Sequence, residues 1–325
     1  MSDAGWEVGE GIDAALANWN GMRHIERCLE ALFSQTLPPR QVVVVDNSST
    51  DGSREWIREY YPQVLLLENS CNKGFSAGYN RAIGACAAAY VLILNTDVFL
   101  EPGFVENALR SLAQSADTGA ATGLIYQEGT REWINGGFFL RSQIRIAHSG
   151  NLSAEEEVFG CTGAVMLCRH EMLEAVKLDG EYFDETYFSY GEDIDLAWRA
   201  QLCGWKARFH PDARAFHVGS GSLDGQLRFV DKPPFFQRQT LKNRYLTLAK
   251  NGSAGVLLRL LPVFLLSEPL VWLYLLVRRP LDFPYLLLAL VDAVRLMPAT
   301  LRKRRQIRRQ TVVSPAYIRR FLRSF

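Results

Sequence analysis

The N-terminal third of the chain alternates apolar runs of strand length with stretches of helical period, and this alternation constrains the fold more than any other feature. Strand-like runs fall at residues 12–18, 41–46, 64–68 and 90–94, and helix-like stretches at 23–35, 52–61 and 75–89. Val42-Val43-Val44-Val45 and Val91-Leu92-Ile93-Leu94 contain no polar side chain, so both faces of each strand must be covered. Alternation of this kind predicts an α/β fold with a mostly parallel central sheet and helices on both faces. Ligands of such sheets bind beyond the carboxyl ends of the strands. Polar residues collect there: Asn18-Trp19-Asn20-Gly21 after the first run, Asp46-Asn47-Ser48 after the second, and Asn95-Thr96-Asp97 after the fourth.

An Asn-x-Asp triplet at a strand end can hold a divalent cation against a diphosphate. An ordinary solvated turn uses the same residue types, and the triplet alone does not separate the two readings. Asp46 opens a second polar stretch that continues to Ser53 with the composition of a helix start. Asn72-Lys73-Gly74 opens a further helix, where backbone N–H groups suit a phosphate or a ribose and glycine permits close approach. Here too a plain turn is the alternative.

With 325 residues, 48% of them hydrophobic and 22% charged, the chain is expected to form one large domain or a domain with an appendage, and not a disordered protein. Its formal net charge of +1 conceals an asymmetry. Residues 295–325 hold ten of the 36 Lys/Arg and none of the 35 Asp/Glu, so an acidic body carries a basic tail. The six cysteines form no Cys-x-x-Cys pair, which argues against a zinc site or a disulfide framework. No basic segment followed by an apolar core opens the sequence, so a reducing, cytosolic setting is the expectation.

Five segments occur together in a recognisable order: Asn18-Trp19-Asn20-Gly21, Val44-Val45-Asp46-Asn47-Ser48-Ser49-Thr50-Asp51-Gly52-Ser53, Asn72-Lys73-Gly74-Phe75, Leu94-Asn95-Thr96-Asp97-Val98 and Gly191-Glu192-Asp193-Ile194-Asp195-Leu196. In this order they resemble glycosyltransferase family two, and the chain is similar to its rhamnosyltransferase-type branch over roughly residues 12–251. The resemblance implies a GT-A fold, a nucleotide-diphosphate sugar donor, a divalent cation (Mg or Mn) and inversion at the anomeric carbon. It further implies that Asp46 and Asn18 line the nucleotide pocket, with Ser48, Lys73, Gly74 and Asn95 on the donor side. Asp97 is implied as a metal ligand, Asn95 standing where the family motif has its first Asp. His217, in His217-Val218-Gly219-Ser220-Gly221-Ser222, is implied as a second metal ligand or a phosphate contact. The catalytic base is implied to be Asp193, held ionised at a helix start, while Asp195 is read as structural. Lys242-Asn243-Arg244 offers cationic help to the leaving group, with a solvated helix face as the alternative. Residues 125–158, including Trp133, Gly136, Gly137 and Phe138, show no period and are assigned to the acceptor cleft. Cys161 is read as a packing residue.

At about Gly252 the composition changes. Residues 256–277 are rich in Leu, Val and Phe but interrupted by Arg259, Pro262, Glu268 and Pro269, and residues 283–291 are too short to cross a bilayer. Two interfacial helices followed by Arg302-Lys303-Arg304-Arg305 therefore read as a monotopic anchor on an anionic membrane surface. No base-stacking module accompanies the basic run, so nucleic acid is not expected as a partner. The division is thus a catalytic domain, 1–251, and a membrane-associating region, 252–325. The expected function is transfer of one sugar, L-rhamnose from dTDP-rhamnose, to a lipid-linked or other envelope glycan at the cytoplasmic face of the membrane. A catalytically silent glycan-binding scaffold remains the alternative.

Overall fold

The computed structural model describes residues 11–130, 132–141, 146–148, 152–219 and 229–323. Its first half follows the alternation: β1 (Ile12–Asn18), α1 (Met22–Phe33), β2 (Gln41–Asp46), α2 (Ser53–Tyr60), β3 (Leu65–Glu68), α3 (Gly74–Ile83) and β4 (Tyr90–Leu94). There follow β5 (Val98–Leu100), α4 (Phe104–Ala113), β6 (Thr118–Gln127), β7 (Trp133–Asn135), β8 (Gly137–Arg141), β9 (Ile146–His148), β10 (Glu156–Val158), β11 (Gly160–Cys161), β12 (Val165–Arg169) and α5 (His170–Ala175). The chain continues through α6 (Glu192–Leu202), β13 (Lys206–His217), α7 (Pro234–Asn251), α8 (Ala254–Arg278), α9 (Phe283–Gln310), α10 (Pro315–Arg319) and β14 (Leu322–Arg323).

Strand order in the main sheet is β10-β13-β6-β12-β4-β1-β2-β3, with β1 to β4 mutually parallel and β12 antiparallel to both its neighbours. β2 and β4 are interior strands and buried, as their unbroken apolar runs require. The register pairs Asn18 with Asp46, which sets two strand-end polar residues side by side. Helix α1 buries Ile25, Cys28, Leu29 and Leu32, spaced along a single face.

Three sequence expectations are corrected. The helix expected to reach residue 89 stops at Ile83, because the buried Asp13 carboxylate accepts the N–H groups of Ala87 (2.7 Å) and Ala88 (2.9 Å) and holds them off the helix. The stretch 125–158 is not an irregular cleft wall among its described residues. It supplies β7 to β10, and β8 lies in a second sheet in which Phe138, Phe139 and Leu140 are buried. A Cβ at Gly137 would meet Val158 at 2.8 Å, so this glycine serves packing.

The third correction concerns the C-terminal region. Pro262, Pro269 and Pro298 lie inside helices that continue past them, and α8 and α9 run 25 and 28 residues, each long and apolar enough to cross a membrane by length and composition. Glu268 is neutralised by Arg244 of α7 at 2.6 Å. Pairings fix the directions. Residues 241, 245 and 244 of α7 meet 275, 272 and 268 of α8, so those two helices are antiparallel, whereas Arg238 meets Asp292 and Ala249 meets Arg304, so α7 and α9 run the same way. The basic run does not face lipid as a whole. Lys303 is buried and paired with Glu181 and Asp184, both at 2.8 Å, while Arg302 and Arg305 remain exposed. After α10, β14 pairs with β8, so the tail is built into the catalytic body.

Candidate active site

Loops after β1 and β2 form one end of the cleft. The Asn18 amide nitrogen lies 2.9 Å from an Asp46 oxygen, 3.1 Å from Ser49 Oγ and 2.9 Å from Ser53 Oγ, while the other Asp46 oxygen accepts the Ser49 N–H at 2.9 Å. Asn18 and Asp46 have no exposed surface, so they shape the loops and leave Ser48, with φ 63° and partial exposure, at the cleft edge. Asn20, also left-handed at φ 53°, ties the two loops together by accepting the Thr50 N–H at 2.8 Å.

Next along the sheet, the start of α3 departs from the expected phosphate cradle. The Gly74 N–H donates to Asn72 Oδ1 at 2.8 Å and the Phe75 N–H to the Phe188 carbonyl at 2.8 Å, so both amides are engaged within the protein. Lys73 is exposed. Gly74 has φ +81° and a Cβ there would lie 2.4 Å from the Phe188 carbonyl oxygen, so glycine is required where these two segments meet.

At the end of β4, Asn95 Oδ1 lies 2.9 Å from the Tyr79 hydroxyl, which holds this amide in place. Asp97 Oδ1 lies 3.3 Å from His217 Nε2, so β4 and β13 bring together the two residues implied as metal ligands. Neither ring nitrogen of the nearly buried His217 has a hydrogen-bond partner, and an orphaned imidazole beside a carboxylate fits a cation. Among the described residues no cluster of three or more His, Cys, Asp or Glu could hold a metal. A cation at Asp97 and His217 would therefore take its remaining ligands from a diphosphate and water, as Mg²⁺ commonly does. Ser220 to Ser222 lie outside the described residues.

The third element is the start of α6. Tyr190 (φ 70°) and Gly191 (φ 89°) turn the chain sharply into Glu192 and Asp193. Asp193 Oδ2 accepts the Gly163 N–H at 3.1 Å, and the next carbonyl, that of Ala164, accepts the Asn95 N–H at 2.9 Å. One two-residue bridge thus joins the acid of α6 to the Asn95-x-Asp97 triplet. Burial raises the Asp193 carboxyl above the ordinary carboxylate range, opposed by the Gly163 and Ile194 N–H groups. Glu192 is pushed up to about 8, first by burial and then by the Asp193 charge, and its Oε2 has no partner. The Tyr190 hydroxyl is pushed up to about 12, first by burial and then by the charges of Glu192 and Asp97.

Asp195 is structural, as expected: it is buried against Arg199 (3.0 Å) and Lys250 (2.9 Å). Cys161 is buried and its thiol is raised well above its ordinary value by burial, which suits packing. The stretch Lys242-Asn243-Arg244 does not supply a free cation. Lys242 donates to the Thr186 carbonyl and Gln239, Asn243 to the carbonyls of Ser189 and Tyr190, and Arg244 to Glu268. Lys242 and Asn243 hold the segment leading into α6, and Arg244 ties α7 to α8. Sequence reasoning missed Tyr79, Tyr190 and Lys232, the last in Asp231-Lys232-Pro233-Pro234, a short break before α7.

A partly parallel α/β sheet with polar and acidic residues at its strand ends is the GT-A architecture, and the solved structures similar to this chain share it. GalNAc-T7 with UDP, GalNAc and Mn²⁺ superposes with a TM-score of 0.59 at 15% identity, over 75% of this chain and 49% of that one. S. aureus TarS gives 0.51 at 16% identity, over 75% and 40%. The chain thus spans about half the length or less of these neighbours, and the likeness is one of fold. Residues 17–177 match the family model described as Glycosyl transferase family 2. The protein is a glycosyltransferase with a family 2 domain, related to enzymes of the rhamnosyltransferase type. It is 28% identical over 223 residues to the N-acetylglucosaminyl-diphospho-decaprenol L-rhamnosyltransferase of Mycobacterium tuberculosis, covering 60% of this chain and 71% of that protein. It is 24% identical over 201 residues to the pre-mycofactocin glycosyltransferase of the same species, covering 62% and 40%.

Proposed function

We propose that this enzyme transfers a single L-rhamnose from dTDP-rhamnose, with inversion, to a lipid-linked precursor of an envelope glycan at the cytoplasmic face of a membrane. The observation that supports this reading most is the bridge from Asp193 through Gly163 and Ala164 to Asn95 and Asp97. It ties a buried carboxylate to the strand end that carries Asp97, and a single displacement needs a base and a charge-neutralising group at one cleft. Asp193 takes the proton of the acceptor hydroxyl as that oxygen attacks the anomeric carbon. Asp97 and His217 hold the cation, which when bound neutralises charge on the departing diphosphate. Asn18 and Asp46 keep the nucleotide-side loops closed, and Ser48 stands at their open edge. The decaprenol-linked acceptor in the relative's name supports the acceptor class.

Two expected results test these roles. Asp97→Ala abolishes the metal-dependent part of dTDP binding, whereas Asp46→Ala weakens binding with or without Mn²⁺, because it loosens the loops of the nucleotide end. Calorimetry with and without Mn²⁺ decides, and equal metal dependence in the two variants would sink the division. The second result concerns the membrane. The α8–α9 pair exposes Leu258, Leu261, Leu265, Leu266, Leu270 and Leu273, a row that water does not favour. Alkaline carbonate is expected to leave the full chain in the membrane pellet, since the apolar helices and not the basic run supply the attachment. Complete extraction would return the protein to a peripheral, charge-held state.

A further inference from the structure

Between β13 and α7 a short helical turn, Phe229–Asp231, leads into Lys232 and Pro233 beside the cleft. Its Val230 carbonyl accepts from Gln237 Nε2 at 3.1 Å and from Arg279 Nε at 2.9 Å, with a second Arg279 nitrogen also in contact. Arg279 lies in the turn between α8 and α9. The segment is therefore pinned on one side by α7 and on the other by the apolar hairpin.

Two residues beyond that anchor, Lys232 Nζ sits 3.6 Å from the centroid of the Tyr190 ring. Tyr190 directly precedes the turn that delivers Glu192 and Asp193. Among the described residues the Lys232 ammonium has no hydrogen-bond or ion-pair partner, and a ring face alone does not replace the water removed from a half-buried charge. Glu192 is near enough to act on it electrostatically, and its Oε2 has no partner. Burial pushes the ammonium down to about 8, so a bound anion would hold it charged. A divalent cation shared with Asp97 cancels only part of the charge of a diphosphate. Of the cationic side chains near the cleft, Lys242 and Arg244 are engaged elsewhere.

We propose that Lys232 is an anion-binding residue of the cleft that takes a substrate diphosphate, held in place by the hairpin turn through Arg279 and Val230. The diphosphate belongs either to the nucleotide donor or to the lipid-linked acceptor, and the proposal rests on the transfer reaction given above. An ammonium suits this ligand as a compact point charge.

The test uses the full-length protein in lipid nanodiscs and compares wild type with Lys232→Gln. KM and kcat are measured for donor and acceptor separately, and dTDP and thymidine binding by calorimetry. Losing one charge-assisted contact is expected to cost roughly 10- to 100-fold in KM or kcat for one substrate. Weaker dTDP binding with thymidine binding unchanged identifies the donor diphosphate. Unchanged dTDP binding with a raised acceptor KM identifies the acceptor diphosphate. Parameters within twofold of wild type in every arm, or an equal loss of thymidine binding, overturn the proposal. A wild type that neither binds dTDP nor UDP nor transfers any sugar overturns the transfer reading itself, and this proposal with it.

Discussion

Asp193→Asn is expected to lower the transfer rate by about 10² to 10⁴, the usual cost of losing a general base, while dTDP binding stays as in wild type. The substitution keeps an oxygen for the Gly163 N–H and so preserves the bridge to the β4 end. What it removes is the capacity to take a proton from the acceptor hydroxyl. Burial raises the Asp193 carboxyl, so the acid limb of the wild-type kcat/KM profile should lie above the ordinary Asp range and be lost in the residual activity of the variant. With Asp193 neutral, one source of repulsion on Glu192 also disappears, and its carboxyl should titrate lower than about 8. Carbon-13 NMR of labelled Glu192 reads this directly. Turnover near wild type in Asp193→Asn would move the base to Glu192.

The second large effect is expected at Asp184, which has no part in the chemistry. Its carboxylate receives Lys250 of α7 and Lys303 of α9, and Lys250 also meets Asp195, so three segments distant in sequence close around a buried cluster of alternating charge. Asp184→Ala takes from two buried ammonium groups the carboxylate they share, leaving Lys250 with Asp195 alone and Lys303 with Glu181 alone. Breaking such a pair costs about 3–5 kcal/mol, enough to lower the melting temperature by roughly 10 °C. The pH dependence follows from the direction of the shift. Burial alone would raise the Asp184 carboxyl, but Lys250 and Lys303 hold it far below its ordinary value. A depressed folded value gives stability that is present above the unfolded value of about 4 and is lost as pH falls below it. Melting curves between pH 5 and 3 should therefore fall less steeply for Asp184→Ala than for wild type. Identical slopes would mean that the cluster contributes nothing to acid sensitivity.

The same cluster shows where the sequence stops being legible. Parallel strands buried on both faces read as unbroken apolar runs, and the period-two register then fixes which strand-end residues become neighbours, so β1, β2 and β4 and the positions of Asn18, Asp46 and Asp97 followed directly. The acidic motif around Asp193 was expected to open a helix, and it forms the first turn of α6. By contrast, a run of Arg and Lys looks the same whether its partner is a lipid headgroup or Asp184, 119 residues away, and only the packing of α9 on α7 decides. Gly84 at the C-cap marks the early stop of α3 locally, but the course of the chain beyond it depends on Asp13, 74 residues from Ala87. Lys232 acquires its meaning from the ring of Tyr190, a contact with no period. Gly136 and Gly137 were assigned to an acceptor cleft with a stretch that shows no period, yet a Cβ at Gly136 would lie 2.7 Å from the Gly123 carbonyl oxygen and one at Gly137 2.8 Å from Val158.

The run of the last three long helices has one more consequence. Since α8 returns along α7 and α9 follows α7 in the same direction, the turn at Arg279 comes back to the segment that leads past Tyr190 toward Asp193. With the hairpin seated in a bilayer, the height of Asp193 above the lipid is set by fixed protein contacts and not by a tether. An enzyme held in this way is expected to select by reach: a sugar hydroxyl carried one phosphate or one residue nearer to, or farther from, its lipid would arrive at the wrong level, however well its ring would fit.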